Sequence, residues 1–216
     1  MPGTFNGTTL TISATPVDHA LIPDEGATNV AGIAIVGSDM YCVKTTGLKT
    51  TLLKTTDYMA TKATAVKKDL NWFALGLTKI GNYLYMLAED HKGYGGSTTI
   101  VKLDTKGNQL GTYSINEICP KGALGITAAD GTNEKFIIMH YADKSNAGTL
   151  TFSVVDWKAA KAASTFTVTN SGFGYTTQLQ DIYYHTSFGL FILTNNTFST
   201  LQNRILVVDY HLTDDK

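Results

Sequence analysis

A chain of 216 residues with a formal net charge of −1 and a single arginine, Arg204, lacks the basic stripe that nucleic-acid binding requires, so no nucleic-acid partner is expected. No apolar run reaches the roughly 20 residues of a membrane-spanning helix, and residues 1–10 lack the apolar centre of a signal peptide. A cytoplasmic protein is expected, or a secreted or cell-surface one if a signal has been removed. With 11 Tyr, 9 Phe and only 4 Pro, and with threonine abundant, the composition favours strands and one all-β domain over 1–216.

The first patterned segment, residues 8–17 (TTLTISATPV), alternates Leu10 and Ile12 with Thr and Ser, as a half-exposed strand does. Residues 31–43 (AGIAIVGSDMYCV) and 75–87 (LGLTKIGNYLYML) then align without a gap, with Gly32 on Gly76, Gly37 on Gly81 and Tyr41 on Tyr85. A third copy occupies residues 124–139 and a fourth 179–194. Each is two apolar runs across a turn, and Gly81 with Asn82 is a dipeptide suited to a tight hairpin. A further run recurs after each copy and places Asp57, Asp104, Asp156 and Asp209 at equivalent strand ends, 47, 52 and 53 residues apart. Those aspartates read as caps on the following turns. Residues 59–68 and 157–163, rich in Ala and Lys, are expected to form helical turns.

Four-stranded units at a period near 50 residues resemble the blades of a β-propeller. The resemblance implies four blades at roughly 30–70, 71–117, 122–170 and 176–212, with 8–17 as the N-terminal strand that completes the last blade and closes the ring. A fragment of a larger propeller is the alternative. In blade count alone the chain resembles hemopexin-like domains. Their blade motif is absent, so none of their residues is carried over. No cofactor is expected, and a channel-bound ion is implied only by that analogy.

No phosphate loop, HExxH, paired CxxC or GxSxG motif is present, so a catalytic signature is lacking. The five histidines are too scattered for a metal site. Cys42, in an inner strand, and Cys119, in a loop near a surface, are expected to be free thiols. In a propeller the loops between blades and those between second and third strands share one face, where the site usually lies. On that face fall His19, Asp24, Glu25, Asn29, Asn71, Trp72, Glu117, Phe173 and Tyr175, a mixture of flat rings and hydrogen-bonding groups that suits a glycan or a peptide or protein ligand. The fourth copy also places Gln180 or Asp181 where the other three have Gly32, Gly76 and Gly125.

The function expected is a non-catalytic binding module with Trp72, Asn71, His19, Asn29, Phe173, Tyr175, Gln180 and Asp181 as ligand-binding residues. The alternative is a glycan-active enzyme drawing its acid and base from Asp181, Glu117, Asp24 and Glu25.

Overall fold

The computed structural model describes residues 3–5, 10–12, 29–56, 63–90, 97–131, 133–141, 149–157, 159, 161–169, 177–196 and 204–212. They form seventeen strands. After a hairpin of β1 (Gly3–Phe5) and β2 (Leu10–Ile12), the first blade joins β3 (Asn29–Val36), β4 (Asp39–Thr46), β5 (Lys49–Thr55) and β6 (Thr64–Leu70). The second joins β7 (Trp72–Ile80), β8 (Tyr83–Asp90), β9 (Thr98–Leu103) and β10 (Gln109–Ser114), and the third β11 (Ala123–Ala128), β12 (Lys135–Tyr141), β13 (Thr149–Asp156) and β14 (Lys161–Thr169). The fourth has β15 (Thr177–His185), β16 (Gly189–Asn196) and β17 (Arg204–Val208). All pairings within these sheets are antiparallel. The innermost strands β3, β7, β11 and β15 touch in that order and β15 returns to β3, a four-bladed β-propeller.

Burial follows position in the blade. The second strand lies between two neighbouring blades, so the consecutive residues Leu84–Ala88 of β8 are all buried, whereas β10 at the rim is largely exposed. Three apolar clusters fill three of the seams. Val43 and Leu52 meet Leu77 and Met86 between blades one and two; Tyr85 and Leu87 meet Ile126 and Phe136 between two and three; Met139 and Phe152 meet Ile182 and Leu190 between three and four. Each such residue contributes about 1.5–3 kcal/mol by its burial.

A repeated latch supplements this packing. The Ala74 amide donates to Thr45 Oγ1 and Thr50 Oγ1, both at 3.3 Å; the Ala128 amide donates to Thr78 Oγ1 at 3.1 Å; and the Tyr184 amide donates to Thr127 Oγ1 at 3.0 Å. In every case an innermost strand, whose free edge would leave amides unpaired, finds a threonine of the preceding blade. The fourth seam differs. Ile33 and Ile35 of the first blade are 64% and 56% exposed, and Tyr183 and Val207 of the last are 57% and 47% exposed, whereas Leu77 and Ile126, the counterparts of Ile33 in blades two and three, are buried.

Several expectations are corrected. The strand predicted to complete the last blade is present over Leu10–Ile12, but it pairs with Gly3–Phe5 in a two-stranded sheet, and β17 pairs with β16 alone among the described residues. A local hairpin closes a loop of a few residues, whereas pairing with β17 closes one of nearly the whole chain at a larger entropy cost. The predicted helical turns are corrected in part: their residues 64–68 and 161–163 belong to the rim strands Thr64–Leu70 and Lys161–Thr169, because the open edge of a sheet overrides the weak helix preference of Ala and Lys, while 59–62, 158 and 160 fall outside the described residues. Cys119 is fully buried beside Ile115 and Ile126, not near a surface, and burial pushes its thiol up to about 12 and that of Cys42 to about 11. Both are free. The capping role holds at Asp104, whose Oδ1 accepts the Lys106 and Asn108 amides at 2.9 and 2.8 Å, and at Asp156, whose Oδ1 accepts the Ala159 amide at 3.2 Å. Asp57 lies outside the described residues, and Asp209 instead pairs with His211 at 2.9 Å.

Candidate ligand site in the channel

All four innermost strands break register once, between Ala31 and Ile33, Ala74 and Gly76, Ala123 and Gly125, and Leu179 and Asp181. The bulge twists each strand toward the axis. Below it the pairings Gly76 with Leu87, Gly125 with Met139 and Asp181 with Leu193 put Asp181 at the level of the two glycines and leave Gln180 as the bulged residue.

Glycine serves a definite purpose there. A Cβ on Gly76 would stand 3.2 Å from the Ile126 side chain, one on Gly125 3.3 Å from Asp181 Oδ1, and one on Gly32, whose φ is 63°, only 2.0 Å from the Leu77 nitrogen. At three seams the missing side chain lets one blade back onto the next. The Asp181 carboxyl stands beside Gly125 of the preceding blade, whose missing side chain leaves room for it, and at the edge of open space.

From this level a cavity of about 610 Å³ extends along the axis toward the turns that join first and second strands. Its open walls are the exposed Ile33, Ile35 and Tyr183, with Leu77, Ile126 and Ile182, almost wholly buried in the seams, behind them; Lys79, Asp130 and His185 stand nearer those turns. Asp181 lines its inner end. The carboxyl Oδ1 accepts the Ile182 amide at 2.9 Å, the one hydrogen bond it makes among the described residues. Burial pushes its pKa up to about 7, against the smaller opposing effect of that amide. His185 Nδ1 accepts the Ser187 amide at 3.1 Å, which leaves Nε2 carrying the proton in the neutral ring, and the ring stacks on Phe188 at 4.7 Å.

The structure distributes the remaining candidates differently. Trp72 is partly buried against the cluster between blades one and two, its Nε1 donating to Gln109 Oε1 at 3.2 Å, and Asn71 beside it is exposed. Glu117 is exposed in the turn after Ile115 and does not line the cavity. The backbones of Asn29 and Gln180 lie in β3 and β15. His19, Asp24, Glu25, Phe173 and Tyr175 fall outside the described residues. Among the described residues no three His, Cys, Asp or Glu stand close enough to hold a metal ion. The cavity itself was not legible beforehand, since Ile33, Ile35 and Tyr183 sit in apolar runs that resemble any buried strand. The departure from glycine at Asp181 was the one signal pointing to it.

Chemically, a carboxyl titrating near neutrality can exchange a proton or hold a cation. Acid-base hydrolysis of a glycoside needs a second carboxylate roughly 5–10 Å away, and no second carboxylate lines the inner end of the cavity among the described residues.

No family model and no curated protein matches the chain. Among solved structures it is similar to a glucose dehydrogenase, with a TM-score of 0.54 and 11% identity over 94% of this chain and 88% of the other. It is also similar to the exo-β-1,3-galactanase of Phanerochaete chrysosporium solved with β-1,3-galactotriose, at 0.55 and 12% over 83% of this chain and 47% of the other. The glutaminyl cyclase of Myxococcus xanthus matches at 0.50 and 12%, over 83% and 74%. This chain thus spans about half the length of the galactanase. At such identities the likeness is one of fold.

Proposed function

We propose that the protein is a non-catalytic binding module that takes part of a peptide or protein ligand into the channel cavity. The observation that carries this reading is the cavity itself: about 610 Å³, walled by aliphatic side chains and Tyr183, with one carboxyl at its inner end. Volumes of roughly 300–1,000 Å³ with few, placed polar groups are typical of ligand sites. Of the two ligand classes expected from sequence, the lining favours a peptide. The Thr78 and Thr127 hydroxyls already accept inter-blade amides, so a sugar would find few partners for its own hydroxyls and would leave them unsatisfied at a cost of about 1–3 kcal/mol each.

The glycan-active enzyme is supported by one observation, the Asp181 carboxyl at about 7, a value suited to a general acid. It requires a second carboxylate, and Asp24 and Glu25 are the candidates outside the described residues. The test is a peptide and glycan panel followed by methyl NMR. Binding in the cavity should shift the methyls of Ile33 and Ile35, and Tyr183→Ala, a change at an exposed position, should weaken it at least about fivefold, as expected for loss of a ring contact. Binding that leaves these methyls and the Tyr183→Ala affinity unchanged would place the site elsewhere. Turnover of any glycan that Asp181→Asn abolishes would favour the enzyme.

A further inference from the structure

Asp181 is an addition that blade packing does not require. At the equivalent level blades two and three have glycine, and the seam they form is tight without any polar group. The acid instead stands at the inner end of an apolar cavity, with the Ile182 amide on Oδ1 and the Gly125 backbone against its side. No lysine, arginine or histidine compensates it there among the described residues: Lys79 from β7 and His185 from its own strand line the cavity nearer the turns, and Asp130, also at that end, is another acid. Tyr183 and Tyr184 bring no positive charge. A carboxylate in such a place is destabilised unless a proton or a cation joins it.

Resting on the binding reading above, we propose that the cavity receives a lysine side chain of the peptide ligand, with its aliphatic stem along Ile33, Ile35 and Tyr183 and its ammonium paired with the Asp181 carboxylate. Lysine combines the two features the cavity offers partners for, an apolar stem and a compact charge with three donors. Arginine's broad planar fork asks for a bidentate partner, and Oδ1 is already engaged by the Ile182 amide. Burial strengthens the pair once formed, because water no longer competes for either ion. Lys79, which lines the cavity nearer the turns, is exposed, and its long stem can move aside as a ligand enters.

A pH dependence follows. The empty site holds a proton up to about 7, so lysine binding must displace it, and affinity rises as pH goes from 5.5 to 8.

The experiment titrates acetyl-Gly-Lys-Gly-amide, its Nε-acetyl-lysine counterpart and n-butylamine into the full chain, following the Ile methyls and the affinity at several pH values. The lysine peptide should shift the methyls of Ile33 and Ile35, bind at least about tenfold more tightly than the acetylated peptide, and lose roughly ten- to a hundredfold in Asp181→Asn along with most of the pH slope. Asparagine is nearly isosteric, and unchanged resonances elsewhere report that the variant is folded. Equal binding of the acetylated peptide at the same methyls overturns the cationic pairing and leaves the cavity reading standing. If n-butylamine binds and the lysine peptide does not, the ligand is a free amine and the peptide assignment is wrong. If none of the three shifts the methyls, the lysine inference is overturned, and the wider panel decides the binding reading separately.

Discussion

Asp181 sets the strongest dependence on solution conditions to be expected at a single residue. Its carboxyl releases a proton near 3.9 in the unfolded chain and near 7 in the folded one. The folded state therefore holds the extra proton between these values. The stabilisation belongs to the protonated form: it is complete below about pH 4 and is lost as pH rises through about 7. Asp181→Asn removes that loss. Urea unfolding at pH 4.5 and pH 8 should show the variant gaining on the native chain with pH, becoming more stable at pH 8 by up to about 4 kcal/mol, an upper bound from three pKa units. Parallel stabilities at both pH values would mean that the carboxyl is better solvated than its place in the channel implies. A group that costs stability in the empty protein is what a ligand-binding position is expected to look like.

At the scale of elements, the threonine latches explain how short sheets hold one another. Thr127→Val keeps shape but removes the acceptor of the buried Tyr184 amide, and a cost of about 1–3 kcal/mol is expected, whereas Thr127→Ser should retain most of the stability. Thermal melts of the pair check this. Equal loss in both variants would assign the effect to the methyl group and its packing. A second repeated device is the cross-strand pair of tyrosine and lysine, Tyr41 with Lys54 and Tyr85 with Lys102. In the first blade the lysine reaches Asp39 at 2.9 Å within the same sheet; in the second it reaches Glu134 of the next blade at 2.6 Å, and the Tyr85 hydroxyl donates to the same carboxylate. One repeated motif thus serves once within a blade and once between blades, depending on where the acid stands.

For the molecule as a whole, three packed seams and one exposed apolar seam mean that the ring is held mainly from blade one through blade four rather than around its closure. The N-terminal hairpin pairs with itself, so deleting residues 1–17 should shift the melting temperature by no more than about 4 °C, the effect of roughly 1 kcal/mol in a chain of this size. Calorimetry of the truncated chain measures it. A drop of 10 °C or more would show that the segment completes the last blade after all.

What the sequence by itself determined is the repeat. The spacing of Gly32, Gly76 and Gly125, the turn at Gly81 and the aspartates at strand ends are local requirements of backbone geometry and turn chemistry, and these are legible one segment at a time. The strands Thr98–Leu103 and Gln109–Ser114 and the turn between them were readable for the same reason. Only the tertiary structure decided the rest. Whether Leu10–Ile12 joins β1 or β17 depends on a competition between a local and a distant pairing that alternation of side chains does not encode. Whether Ala- and Lys-rich residues form a helix or a rim strand depends on the edge waiting for them. The channel cavity arises where four strands converge with one seam less tight than the others, so its walls belong to residues more than 140 positions apart, from Ile33 to Ile182. A departure from the repeat at Asp181 pointed to that place, and only the assembled ring showed what surrounds it.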